Sequence, residues 1–336
     1  MSITILGIES SCDETAAAIC KDGKIINNII ATQSIHESYG GVVPELASRA
    51  HQKNIIPVIN EALTQADISL SKIDAIAYTQ GPGLLGALLV GSSFAKATAL
   101  ALGKPVIPIN HMQAHVLAHF IDDPKPDFPF LCLTVSGGHT QIVKVSNFLE
   151  MEIIGQSKDD AVGEAFDKCA KLLGVGYPGG PKVDKLAQTG DPLKFDFPQS
   201  DLPCLDYSFS GIKTAFMYFL RDEKRKNENF IEEHIHDLAA SLQHTLIQML
   251  FKKLRKAAKA EKIRNIAIAG GVSANSGLRK TLKEEAQKHG WQIFIPKFEY
   301  CTDNAAMIAT AGYYHFLDGK LGSLRDSPLP RMSFSS

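Results

Sequence analysis

Phe130-Leu131-Cys132-Leu133-Thr134-Val135-Ser136-Gly137-Gly138-His139-Thr140-Gln141-Ile142-Val143-Lys144-Val145 is the stretch that decides the fold. Residues 130–135 form an apolar run that reads as a strand. Five small or polar residues read as its turn, and residues 141–145 as the returning strand. The chain opens on the same pattern. Residues 3–8 are apolar and β-branched, Glu9-Ser10-Ser11-Cys12-Asp13-Glu14 is a polar tip, and residues 15–20 return, with a third strand expected at 25–31. A hairpin with a polar tip therefore occurs once in each half.

Helices and strands alternate after each hairpin. The spacing predicts a helix over 44–66, a strand at 73–78, a turn at Gly81-Pro82-Gly83, a buried helix over 85–102 and a strand at 105–109. Asn110 is placed to cap a helix that carries His111 and His115. The second half predicts an amphipathic helix near 231–258, a strand at 266–269, the loop Gly270-Gly271-Val272-Ser273-Ala274-Asn275, a helix, a strand at 292–296 and a last helix from Asp303. The expectation is an α/β protein of duplicated, two-lobed architecture with a cleft between the lobes. Phosphates would lie at the hairpin tips, where backbone N–H groups point inward. The proline-rich residues 122–129 read as a linker. The expected partition is residues 1–121 with 303–330 in the first lobe and 130–302 in the second.

The chain has 336 residues, 45% of them hydrophobic, which is enough for two cores. Lys and Arg total 35 against 36 Asp and Glu, so no global basic excess draws the chain to nucleic acid. A nucleic-acid substrate would need a local basic patch or a partner subunit. Glu9, Asp13 and Glu14 come early and no basic, apolar leader precedes them, which argues against a targeting peptide. The longest apolar run, 84–102, is interrupted by Gly, Ser, Lys and Thr, so no membrane span is expected. The six cysteines form no C-x-x-C pair, hence neither a disulfide framework nor a cysteine zinc site, and a cytoplasmic location is expected.

His111-Met112-Gln113-Ala114-His115 carries the candidate chemistry. Helical residues four apart share a face, so both imidazoles can reach one ion. With eleven histidines in the chain, the bare spacing also arises readily by chance. A metalloprotease would need Glu where Met112 stands, so that reading lacks its general base. His119, one turn further on the same face, reads as a surface residue before a group supporting the ligands from behind. Asp303 is either the cap of the last helix or a carboxylate completing a two-His, one-carboxylate set; the sequence leaves both roles open. Gly81-Pro82-Gly83-Leu84-Leu85-Gly86 matches G-x-G-x-x-G, but no acid follows between 87 and 121 and Pro82 lacks an amide donor, so a tight turn is preferred. Three other loops suit a nucleotide: Ser136-Gly137-Gly138-His139-Thr140, Tyr177-Pro178-Gly179-Gly180-Pro181 and the loop opened by Gly270-Gly271. The basic cluster between 252 and 264 reads as a solvated helix face before an RNA contact, and Cys12 as a packing residue before a nucleophile.

In order along the chain, Ile8-Glu9-Ser10-Ser11-Cys12-Asp13-Glu14-Thr15, His111-Met112-Gln113-Ala114-His115, Val135-Ser136-Gly137-Gly138-His139-Thr140, Tyr177-Pro178-Gly179-Gly180-Pro181, Tyr207-Ser208-Phe209-Ser210-Gly211-Ile212-Lys213-Thr214, Gly270-Gly271-Val272-Ser273-Ala274-Asn275 and Thr302-Asp303-Asn304-Ala305 resemble the motifs of the tRNA N(6)-adenosine threonylcarbamoyltransferase family. The resemblance covers essentially the whole chain. It implies the actin-like ATPase fold shared with sugar kinases and Hsp70. It also implies an acyltransferase that moves the threonylcarbamoyl group of threonylcarbamoyl-adenylate to the exocyclic amine of adenosine 37, in tRNAs reading codons that begin with A, with release of AMP. The family's metal ligands map onto His111, His115 and Asp303. Its adenylate-binding positions map onto Thr134, Val135, Ser136, Gly137, Gly138, Asp167, Gly180, Asp184 and Asn275. One divalent ion is implied, Fe(2+) first and Zn(2+) as the alternative, since two nitrogens and one oxygen suit either. Implied partners are a small paralogous subunit (TsaB type) and a P-loop ATPase (TsaE type). No base for the amine proton is identified, and Lys213 and His119 receive no role. An ATPase or sugar kinase, an O-carbamoyltransferase of the same fold and a non-catalytic scaffold are the other readings.

Overall fold

A computed structural model describes residues 2–334, save the side chain of Glu37. The chain folds as two compact units: Met1–Pro126 with Asn147–Met151 and Pro296–Ser336, and Asp127–Ser146 with Glu152–Ile295.

The first unit begins with β1 (Thr4–Glu9) and β2 (Glu14–Lys21), an antiparallel hairpin, and β3 (Lys24–Thr32) pairs with β2. There follow α1 (Pro44–Ala66), β4 (Ala75–Gly81), α2 (Leu85–Leu102), β5 (Val106–Asn110) and α3 (His111–Leu117). The sheet runs β3-β2-β1-β4-β5, with β1, β4 and β5 parallel. Every residue of β1 is buried, as a parallel strand covered on both faces requires. Gly103 (φ 63) closes α2 in the left-handed conformation that glycine tolerates.

The second unit holds β6 (Phe130–Val135), β7 (Thr140–Asn147), β8 (Glu150–Gln156), α4 (Val162–Leu172), α5 (Gly179–Ala187), α6 (Ser210–Lys224), α7 (Phe230–Glu261), β9 (Asn265–Ala269), α8 (Ser276–His289) and β10 (Gln292–Phe294). Its order is β10-β9-β6-β7-β8. Taken from the other edge, this repeats the first sheet: a hairpin with its third strand on one side and two parallel strands on the other. The duplication read from the two hairpins is thus a duplication of topology. α7 breaks its helical backbone at His234 (φ −121, ψ 15) and buries Leu242, Leu246, Leu250 and Leu254 in this unit's core.

The last helix, α9 (Ala305–Leu317), belongs to the first unit and lies on β1, β2 and β4. Small residues permit the approach. A Cβ on Gly7 would stand 2.6 Å from the Ala309 nitrogen and 2.7 Å from the Ala305 oxygen. One on Gly312 would stand 2.4 Å from the Ala77 Cβ.

Some elements differ from expectation. β8, α4, α5 and α6 carry no clear sequence signal, and α5 starts inside the predicted Gly179-Gly180-Pro181 loop. Pro181 is tolerated there because first-turn amides have no intrahelical acceptor. α9 starts at Ala305, two residues later than expected. By length and composition α2 is apolar enough to cross a membrane. In this structure Ala87, Leu88, Gly91, Ala95 and Ala99 are buried, and the helix packs on α1 and β4.

Candidate functional site

Parallel neighbours β1, β4 and β5 all end on one side of their sheet, and their carboxyl ends deliver Glu9, Thr79 and Asn110 to one place. The Asn110 Oδ1 accepts from the amides of Met112 (3.0 Å) and Gln113 (3.2 Å), which caps α3 as expected. His111 and His115 are buried on that helix. The Nε2 atoms of both approach the same oxygen, Oδ1 of Asp303, at 3.3 and 3.4 Å. Their rings stand at 89° to one another. Among the described residues, His111, His115 and Asp303 are the one group whose ligand atoms gather tightly enough to hold a metal ion.

The two roles left open for Asp303 separate here. The cap of α9 is Asn304, whose Oδ1 accepts from the Met307 amide at 3.0 Å. The Asp303 carboxylate is turned to the imidazoles instead.

Glu9 is the functional residue that sequence reasoning missed. It is fully buried, and its Oε2 lies 3.0 Å from Nδ1 of His111. The Thr79 hydroxyl donates to the same oxygen at 2.7 Å, and the Ser11 amide donates to Oε1. The Ser11 hydroxyl is 3.3 Å from Nδ1 as well. A carboxylate behind a histidine fixes the proton on Nδ1 and leaves the Nε2 lone pair for an ion. The available signal was a carboxylate ending an otherwise apolar strand.

The electrostatics agree. Burial opposes the charge on Glu9 and on Asp303, yet the neighbouring imidazole of His111 holds both carboxyls below their usual range. Burial opposes charge on His111 too, but Asp303 and Glu9 outweigh it and raise the ring well above its ordinary value. His115 is lowered by burial and stays neutral, and its Nδ1 has no hydrogen-bond partner among the described residues. The same carboxylates that favour a proton on His111 would balance a divalent cation, whose binding would displace the proton from Nε2, and the donor set fits one. Burial, then the fields of Asp303 and Asp13, push the Cys12 thiol up, which leaves it a packing residue. The same causes raise Glu14 to about 9. The surface reading of His119 is overturned: it is buried in the turn Ala118–Phe120, where the chain tightens after α3, and it lies outside the ligand group.

In the second unit the loops also follow the carboxyl ends of neighbouring parallel strands, β6 and β9. Thr134 and Val135 are buried in β6. Ser136 closes the turn, its amide donating to the His139 carbonyl (2.8 Å) and its hydroxyl accepting from the His139 amide (3.0 Å). Gly137 and Gly138 are exposed, with open space where a Cβ would stand. The two other glycine pairs are asymmetric. Gly270 (φ +85) presses on the Val135 carbonyl and Gly179 on Ala170 and Asp167, whereas Gly271 and Gly180 face open space. One glycine of each pair serves packing and its neighbour leaves room for a ligand.

The side chains expected at the adenylate site work mostly as struts. Asp167 Oδ1 accepts from the amides of Gly179 (2.8 Å) and Gly180 (3.2 Å), and burial raises its pKa. Asp184 accepts from the Ser276 amide (3.0 Å) and hydroxyl (2.7 Å). Asn275 caps α8 through the Leu278 amide (2.9 Å) and donates to Gln243 (2.6 Å). These bonds hold the starts of α5 and α8 in place.

A family model described as tRNA N6-adenosine threonylcarbamoyltransferase matches residues 24–310. The chain belongs to this family. A relative of that name from Cytophaga hutchinsonii is 60% identical over 332 residues, 99% of this chain and 97% of its own. Another of that name, from Christiangramia forsetii, is 59% identical over 318 residues, 94% of each chain. Among solved structures, T. kodakarensis HypF superposes with a TM-score of 0.65 at 14% identity, over 97% of this chain and 50% of that one. At that identity the likeness shows the fold alone, the actin-like, sugar-kinase type. The three residues expected as metal ligands converge here, and the positions expected to bind the adenylate fall on the second unit's loops and their struts. Lys213 is exposed near the start of α6. The G-x-G-x-x-G match is packing: a Cβ on Gly81, Gly83 or Gly86 would run into Leu329, Ser11 or Ser48.

Proposed function

We propose that this chain transfers the threonylcarbamoyl group of threonylcarbamoyl-adenylate to the exocyclic amine of adenosine 37, in tRNAs that read codons beginning with A. The amine nitrogen bonds to the carbamoyl carbon. The bond from that carbon to the phosphate oxygen breaks, AMP leaves with the electron pair, and the amine loses a proton. Family membership supports the reaction. The observation that carries it on this chain is the approach of His111 and His115 to one oxygen of Asp303, with Glu9 behind His111.

His111, His115 and Asp303 would hold one divalent ion, which we take to be Fe(2+), with Zn(2+) as the alternative. When bound, such an ion supplies Lewis acidity and a template for oxygen donors. Glu9 keeps the His111 proton on Nδ1. The loop amides of Ser136–Gly138 and the open faces of Gly180 and Gly271 receive the adenylate. Asp167, Asp184 and Asn275 hold those loops, since their side chains are already engaged.

A small paralogous subunit and a P-loop ATPase complete the reading, and the acceptor implies a cytoplasmic setting. The exposed Leu85, Leu89 and Leu100 of α2, with Ile56 of α1, support docking of an apolar partner surface on the first unit. The test is quantification of the modified nucleoside after incubation of purified adenylate, tRNA and partners with wild type or His111→Ala. Wild type is expected to transfer and the variant to lose transfer. A variant of full activity removes the metal assignment; an inactive wild type removes the reaction.

A further inference from the structure

The basic cluster between 252 and 264 divides in the structure. Lys252 and Lys253 pair with Asp201 at 2.9 and 3.1 Å, and Lys253 is buried. Lys253 is therefore structural, and Lys252 is exposed but already paired. Arg255 pairs with Glu285 at 3.0 Å. Lys259, Lys262 and Arg264 have no carboxylate partner among the described residues, and with Arg255 they line a hollow of ≈ 440 Å³. Ala258, Ile263, His289 and Trp291 complete its wall, and the rings of the last two stack at 5.2 Å and 29°. No Asp or Glu lines it.

Helix ends explain part of this. Cations in a last turn offset unsatisfied carbonyls, which accounts for Lys259 on α7, Lys262 just after it and His289 on α8. They do not explain Arg264, which leads into β9, or an aromatic pair set among cations in a concave wall. Cations beside stacked rings suit a phosphodiester and the base it carries. The volume lies in the range of sites for small groups, about 300–1,000 Å³. The chain as a whole is near neutral, so a local excess of cations, with one carboxylate, Glu285, engaged by Arg255 and His289, is where a polyanion would be held.

We propose that this hollow binds the sugar-phosphate backbone and an unstacked base of the tRNA, away from the reacting adenosine. The proposal rests on tRNA being the acceptor. The hollow lies at the amino end of β9, and the Gly270-Gly271 loop lies at its carboxyl end, separated by five residues of strand, roughly 16 Å. Contact here therefore affects how tightly tRNA is held and not the chemistry.

The experiment uses the full chain with its partner subunits and compares wild type with Lys259→Gln, Lys262→Gln and Arg264→Gln combined. The tRNA KM and the directly measured tRNA Kd should rise on the order of tenfold. The kcat at saturating tRNA and the KM for the adenylate should not change. The slope of log Kd against log salt should flatten by about 2 to 3, one counterion or slightly less per lost cation. Independently of any variant, photo-crosslinking of the wild-type complex should mark the peptide containing His289 and Trp291. Unchanged tRNA affinity and slope in the folded variant, with cross-links only elsewhere, overturn the proposal and leave an acidic protein segment as the occupant. Saturable protection of the hollow by free AMP or ATP, with the tRNA Kd unmoved, also overturns it, in favour of a free nucleotide. A wild type that binds tRNA with this sensitivity but transfers nothing sinks the reaction and leaves the contact standing.

Discussion

Glu9 shows how much one hydrogen bond can decide. Its Oε1 accepts from the Ser11 amide, so in Glu9→Gln the amide oxygen keeps that position and the NH2 group turns to Nδ1 of His111. An NH2 group there donates, which moves the histidine proton to Nε2, the atom that faces Asp303. The expected result is a folded protein whose metal affinity, measured by equilibrium titration, falls about 10–100-fold. Wild-type affinity in Glu9→Gln would remove the tautomer argument. The His pair itself was legible because helical spacing is local. Glu9 was not, since what makes it special is the neighbouring strand that brings Thr79 and the helix that brings His111.

Among elements, α9 matters most to the candidate metal centre. It is the last helix of the chain, yet it packs on the first strand, and Asp303 enters two residues before it begins. The fit depends on absent side chains at Gly7 and Gly312. In Gly7→Ala the new methyl meets the Ala309 and Ala305 backbone, and α9 must shift away from β1. We expect a loss of about 1–3 kcal/mol in stability, together with weaker metal binding as Asp303 moves from the imidazoles. Denaturant melts and the same titration test both; a destabilised variant with unchanged metal affinity would uncouple the helix from the site. The sequence predicted a helix here and a polar residue at its start, but only the packed helix distinguishes Asn304 from Asp303 as the cap.

At the scale of the whole molecule, stability should respond to pH through His315 of α9. Burial first, then Lys320, push its pKa down to about 4 from an ordinary 6.5. The folded state therefore binds fewer protons than the unfolded one. The stabilisation is complete above pH 6.5 and is lost progressively as pH falls towards 4, at no more than about 1.4 kcal/mol per pH unit. Melting temperatures of wild type and His315→Gln should diverge in slope across that window, and parallel curves would refute the linkage. The same scale holds the duplication. Two sheets of one topology place their loops at the carboxyl ends of parallel strands, so the metal group and the glycine loops occupy equivalent ends of two related units.

The sequence by itself determined the two hairpins, the alternation that makes the fold α/β, the shared face of His111 and His115, the Asn110 cap and the glycine pairs. All of these rest on interactions between residues a few positions apart. Tertiary structure alone decided that Asp303 faces the imidazoles, that Glu9 stands behind one of them, that His119 is buried, that Asp167, Asp184 and Asn275 are struts, and which cations of the basic cluster remain unpaired. Each of those depends on which strands are neighbours and on where a distant helix lands, and neither periodicity nor composition encodes that in a local window.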